Sequence, residues 1–156
     1  MFLQRDARSF EARAGGSASL DERNRQKAIG LDDATVEGIL FSAIMPIEYL
    51  TGSNATLVVR GRSASATTGN TRLRISFESQ PQDSDADSFA TALSGNAAAD
   101  ATSGIEFSAS FTISNATLDG AAPGSSFRLK IERVGDDGTN DTMTGDFQLR
   151  SWYLSQ

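Results

Sequence analysis

The sequence predicts an all-β protein, an antiparallel and jelly-roll-like β-sandwich preceded by an extended N-terminal arm. Three observations carry that prediction. From Val36 onward apolar residues recur with a period of two. Gly, Asn, Asp and Pro interrupt the chain at short intervals, and no ten-residue segment after Ile44 keeps a helical period. The 156 residues suit one domain, long enough to bury roughly two-thirds of the surface its unfolded chain exposes.

Residues 1–35 read differently from the rest. They are rich in Arg, Ala, Gly and Ser, with the soft stretch Ala14 to Ser19 in the middle and only isolated apolar residues such as Phe2, Phe10, Leu20 and Ile29. Ser19-Leu20-Asp21-Glu22 could cap a short helix running through Arg25, Lys27 and Ala28. This part cannot build a core alone and reads as an arm, with residues 36–156 as the sandwich domain.

The strands follow in order. Val36–Ile44 and Thr56–Ser63 are apolar on both faces in places, as in a central or covered strand. Residues 71–79 put Leu73, Ile75 and Phe77 on one face against Arg72, Arg74 and Glu78 on the other. Residues 105–113 alternate Ile105, Phe107, Ala109, Phe111 and Ile113 with Glu106, Ser108, Ser110 and Thr112. Residues 127–132 alternate Phe127, Leu129 and Ile131 with Arg128, Lys130 and Glu132. In the last strand, Phe147–Leu154, strict alternation groups Phe147, Leu149 and Tyr153, leaving Trp152 and Leu154 opposite. Turn residues separate these runs at Thr51 to Asn54, Thr68 to Asn70, Asp119-Gly120, Pro123-Gly124 and Gly135 to Gly138.

Composition narrows the chemistry. The chain has neither Cys nor His, so thiol nucleophiles, disulfides, Ser–His–Asp triads and His-based metal sites are excluded. Carboxylate, Lys, Arg, Tyr and hydroxyl chemistry stays open, carboxylate-only catalysis of the glycosidase kind included, and no catalytic residue and no cofactor is assigned. The net charge of −6 is uneven: residues 1–30 carry six basic and four acidic groups, the remainder eight and sixteen. An acidic body argues against nucleic acid as partner. No apolar run approaches the ~18 residues that cross a bilayer, so no membrane partner is expected. The start lacks the apolar stretch of a secretion signal, and with no Cys this suggests synthesis in a reducing cytoplasm. Three matches to the N-glycosylation pattern, at Asn54, Asn115 and Asn140, read as chance.

Several groups are candidates for a role. Asp83, Asp85 and Asp87 begin like a calcium loop, but Ser88 and Ser94 stand where Gly and Glu are needed, so no metal is assigned. In the loop of Asp136, Asp137, Asp141 and Asp146, Arg133 is expected to pair with Asp137 or Asp141 and pin the loop. Tyr49 reads as a local packing plug. Trp152 is a candidate anchor at an interface, or a platform for a sugar ring. If residues 56–63 and 71–79 form a hairpin, Arg60, Arg62, Arg72 and Arg74 make one basic stripe for docking an acidic surface or another copy. Arg5, Arg8, Phe10 and Arg13 are the anchoring candidates of the arm.

Residues 65–78 (Ser65-Ala66-Thr67-Thr68-Gly69-Asn70-Thr71-Arg72-Leu73-Arg74-Ile75-Ser76-Phe77-Glu78) carry a resemblance, together with Asp87 to Thr91, Phe127 to Arg133 and the Asp136-Asp137 and Asp141-Thr142-Met143 segments. From Tyr49 to Leu154 the chain resembles a β-sandwich module of tailed-bacteriophage virion proteins. That resemblance implies a non-catalytic structural protein of the virion: a capsid decoration or cement protein, or a tail or fibre component. It implies partners among the major capsid or other virion proteins and copies of itself, commonly as a homotrimer. It carries no active-site residue. The alternative is a carbohydrate-binding receptor module of a tail fibre or spike, using Trp152 or the acidic loops.

Overall fold

The computed structural model describes the backbone of residues 2–6, 11–12 and 19–23, and residues 26–80 and 88–156 with their side chains. Eleven strands lie in the described residues: β1 (Phe2–Asp6), β2 (Glu11–Ala12), β3 (Ser19–Arg23), β4 (Gln26–Leu31), β5 (Val36–Ile44), β6 (Ala55–Ser63), β7 (Asn70–Gln80), β8 (Leu93–Ala98), β9 (Glu106–Ile113), β10 (Ser126–Val134) and β11 (Phe147–Ser155). They form two antiparallel sheets. The first runs β3-β4-β11-β6-β9, with β1 also pairing β11; the second runs β2-β5-β10-β7-β8. No described segment is helical. The fold is the all-β sandwich that period-two patterning predicts.

The chain changes sheet at almost every connection. β4 leads across to β5, β5 to β6, β6 to β7, β8 to β9, β9 to β10 and β10 to β11, while β7 and β8 stay in one sheet. The inner faces interdigitate as one core. Leu31, Leu57, Val59, Ile113, Phe147, Leu149 and Leu154 come from the first sheet, and Ile39, Phe41, Leu73, Ile75, Phe77, Phe127, Leu129 and Ile131 from the second. Phe77 and Phe127 meet in a tilted pair, as do Phe107 and Phe147.

Three expectations are corrected. The helix through Arg25, Lys27 and Ala28 is replaced by the β3–β4 hairpin, and β4 pairs with β11 through Leu31↔Phe147 and Ile29↔Leu149. Ala28 and Leu31 are fully buried there, so contact with the sheet overrides the local capping pattern. The sandwich therefore begins before residue 36. Ile105, assigned inward, lies just ahead of β9 and is half exposed. Arg60, Arg62, Arg72 and Arg74 form no single stripe: β6 belongs to the first sheet and β7 to the second, so the two pairs sit on opposite outer faces.

Candidate functional site

The last strand determines what the first sheet shows to its surroundings. Between β11 and β6 the register runs Phe147↔Ser63, Gln148↔Arg62 and Leu149↔Gly61, then slips by one residue at Arg150 and resumes with Ser151↔Arg60 and Trp152↔Val59. A bulge of this kind puts two residues opposite one and changes the side to which later side chains point. Trp152 and Leu154 therefore turn inward, and Tyr153 turns outward, reversing the alternation assumed from sequence. Trp152 is fully buried, edge-on to Phe41 with ring centres 5.6 Å apart. It is a core residue and neither an interface anchor nor a sugar platform.

Register then defines the outer face of the first sheet as rows of three across β9, β6 and β11. The rows are Glu106–Arg62–Gln148, Ser108–Arg60–Ser151, Ser110–Val58–Tyr153 and Thr112–Thr56–Ser155. Arg60 lies diagonal to Tyr153, within reach of a long side chain, and its guanidinium sits over the Tyr153 ring, 5.3 Å from the centre. Arg60 Nη1 is 3.7 Å from Glu106 Oε1, and Arg150 Nη1 donates to Glu106 Oε2 at 3.1 Å. Arg62 Nε donates to Gln148 Oε1 at 2.6 Å, and this pair is buried. Thr56, Ser108, Ser110 and Thr112 are exposed hydroxyls on the same face. The face thus presents one aromatic ring, the Arg60 and Arg150 guanidiniums and a column of hydroxyls, with the Arg62–Gln148 pair buried among them.

The outer face of the second sheet is built otherwise. Glu78 and Glu132 point outward yet are only 2% exposed. Glu132 accepts from Arg74 Nε at 2.9 Å and lies 3.6 Å from Lys130 Nζ; Glu78 accepts from Arg128 and from the Ser88 amide. Phe89 packs beneath both Arg128 and Lys130. Arg72 Nη1 donates to Asn96 at 2.9 Å, and its Nε is 3.9 Å from Asp137. These charges hold β7, β10 and the chain around residues 88–89 together.

At the end of the sandwich formed by the β4–β5 and β10–β11 loops, Arg133 points into the body and is fully buried. Nε and Nη2 form a fork with the two oxygens of Asp141, at 2.9 and 2.7 Å. Nη1 donates to the carbonyls of Leu31 and Gly145, and Nη2 to that of Met143. All five donors of the guanidinium are thereby used. Of the two partners considered from sequence, Asp141 takes Arg133, while Asp137 binds Asn140 through backbone and side chain. That Asn140 side-chain bond, more than anything else, holds the Asp137 carboxyl below its ordinary value. Asp146 stands above its ordinary value, first through burial and then through the nearby Asp32, Asp33 and Glu37, with Arg133 opposing. Among the described residues no three acidic groups are placed to hold a metal ion.

Asp83, Asp85 and Asp87 lie outside the described residues, as do Arg8, Phe10 and Arg13; for Arg5, in β1, the backbone alone is described. Tyr153, Arg150, Gln148 and Glu106 were missed as site residues. A signal for them exists: the apolar positions Phe147, Leu149, Trp152 and Leu154 slip phase by one between 149 and 152, as a bulge requires.

No protein-family model and no curated protein sequence matches this chain. Solved structures do. An isomalto-dextranase of Arthrobacter globiformis superimposes with a TM-score of 0.64 and 14% identity, over 99% of this chain and 23% of that one. The chain thus spans about a quarter of that enzyme. A family 35 carbohydrate binding module from an environmental isolate matches with a TM-score of 0.60 and 11% identity, over 99% of this chain and 93% of that one. The family 35 module from Clostridium thermocellum gives 0.54 and 8%, covering 97% of each. At these identities the likeness shows a shared fold.

Proposed function

We propose that this domain is a non-catalytic carbohydrate-binding module, and that a glycan chain lies across the outer face of the first sheet. The observation that carries the reading is the Tyr153–Arg60 platform with its flanking exposed hydroxyls, Ser108, Ser110, Thr112 and Thr56. A sugar ring offers C–H groups to a flat stacked surface and hydroxyls to planar donors and acceptors beside it. Here Arg150 is already held by Glu106 and Arg60 is stacked on Tyr153, so little ordering is left for binding to impose. Modules that share the fold over most of their length are described as carbohydrate-binding, which supports the same reading. The virion-assembly reading rests on the resemblance of residues 65–78, 87–91 and 127–133, and none of the structures named above is a virion component.

The test is binding of the purified chain to a glycan array and to insoluble polysaccharides, with Tyr153→Ala alongside. Retention on at least one glycan is expected, weakened several-fold to about tenfold by the substitution. Absence of retention on every glycan, or retention indifferent to Tyr153, would sink the proposal.

A further inference from the structure

We infer that the glycan carries oxyanions: the outer face of the first sheet takes a polysaccharide bearing carboxylate or sulfate groups, and Arg60 and Arg150 are the pair that receives them. This inference rests on the carbohydrate-binding reading and adds a charge to it. Arg60 and Arg150 converge on a single carboxylate, that of Glu106. Two guanidiniums on one carboxylate leave positive charge at the surface of a chain whose net charge is −6. Arg62, in the adjoining row, is buried against Gln148; Glu106 is the one acidic group in the rows across β9, β6 and β11, and β1 continues the Arg60 row to Asp6.

Arg60 is the more open of the two receiving side chains; Arg150 is 25% exposed and bonded to Glu106 at 3.1 Å. Arg60 is 47% exposed, and its contact to Glu106, at 3.7 Å, is longer than a hydrogen bond. Stacking on Tyr153 orients its plane while leaving its donors to a ligand. A guanidinium edge matches carboxylate or sulfate oxygens two at a time, which neutral hydroxyls do not reproduce. Alternate residues on a strand stand ~6–7 Å apart and neighbouring strands ~5 Å. Arg60 and Arg150 can therefore meet anionic groups repeated along one polymer. On the opposite face Arg74, Arg128 and Lys130 are turned onto Glu78 and Glu132, carboxylates of their own sheet that are almost wholly buried.

The experiment uses the full chain in titration calorimetry with paired polymers: a sulfated galactan with its desulfated form, and a polyuronate with its carboxyl-reduced form. The charged member of at least one pair is expected to bind about tenfold more tightly than its neutral partner. Added salt should shrink that gap. Arg60→Gln and Arg150→Gln should each remove most of it, Arg60→Lys should keep part, and Arg72→Gln on the other sheet should leave it. Which pair responds identifies carboxylate or sulfate as the group received. Equal affinity for charged and neutral members overturns the inference and leaves the carbohydrate reading intact; no binding to any of the four polymers overturns the inference too, and the glycan array decides separately whether the carbohydrate reading falls with it. Equally tight binding of single-stranded DNA overturns the inference in favour of an unselective polyanion site. Thermal unfolding of each variant separates lost binding from lost fold.

Discussion

Arg133 and Trp152 show what burial demands of single side chains. A fully buried guanidinium persists because all five of its donors are met, two by Asp141 and three by carbonyls of Leu31, Met143 and Gly145. Removing Asp141 leaves an uncompensated charge in the body. Asp141→Ala is therefore expected to cost about 3–5 kcal/mol, read as a lower urea midpoint, while Asp137→Ala moves that midpoint far less. Trp152 is the only tryptophan and is closed off by Phe41 and its neighbours, so its emission should be blue-shifted in the native state and move to the red on unfolding. Trp152→Ala empties a large core volume and should cost about 3–5 kcal/mol.

Within single elements, residue count matters as much as residue type. The bulge at Arg150 makes Phe147, Leu149, Trp152 and Leu154 all core residues while placing Arg150 and Tyr153 outside. Deleting Arg150 alone removes the extra residue and keeps Trp152 and Leu154 inward, so cooperative thermal unfolding should persist, whereas deleting Arg150 and Ser151 together turns both toward solvent and should abolish it. Arg150→Ala keeps the count and removes one surface ion pair, so stability should stay within about 1 kcal/mol. That contrast isolates register from charge. Gly69, at the start of β7, has φ of +90°, and a Cβ there would run into the backbone of Thr142. Gly69→Ala should destabilise by roughly 1–3 kcal/mol, measured by chemical denaturation. The alternation of β7, β9 and β10 was readable in the sequence because each has one face inside and one outside. β4 was not, since its burial depends on β11, more than a hundred residues later.

For the whole molecule, charge is arranged by where the loops gather. Asp32, Asp33, Glu37 and Asp146 collect at one end of the sandwich, and burial, followed by repulsion from the other three carboxylates, raises the Asp146 pKa. The folded state then holds the Asp146 proton more tightly than the unfolded chain does, so this group's contribution to stability falls as pH rises through and above its ordinary value of 3.8. Asp146→Asn should accordingly raise the melting temperature at neutral pH, with the advantage over the parent protein vanishing below about pH 4. An unchanged advantage at pH 3 would assign the gain to something other than this titration.

Composition and pattern, by themselves, determined that the chain is an antiparallel β-sandwich, that His and Cys chemistry is absent, and which faces of β7, β9 and β10 are apolar. Those properties are local: a residue type is present or not, and a two-residue period survives any arrangement of strands. Tertiary structure alone decided which strands are neighbours. The Arg60/Arg62 and Arg72/Arg74 pairs look like one hairpin stripe along the chain, yet the β6–β7 connection crosses between sheets and sends them to opposite faces. Only pairing partners many residues away settle whether a strand keeps its phase. In β11 that choice buried Trp152 and turned Tyr153 outward beside Arg60, which is how the proposed sugar-binding face comes to exist.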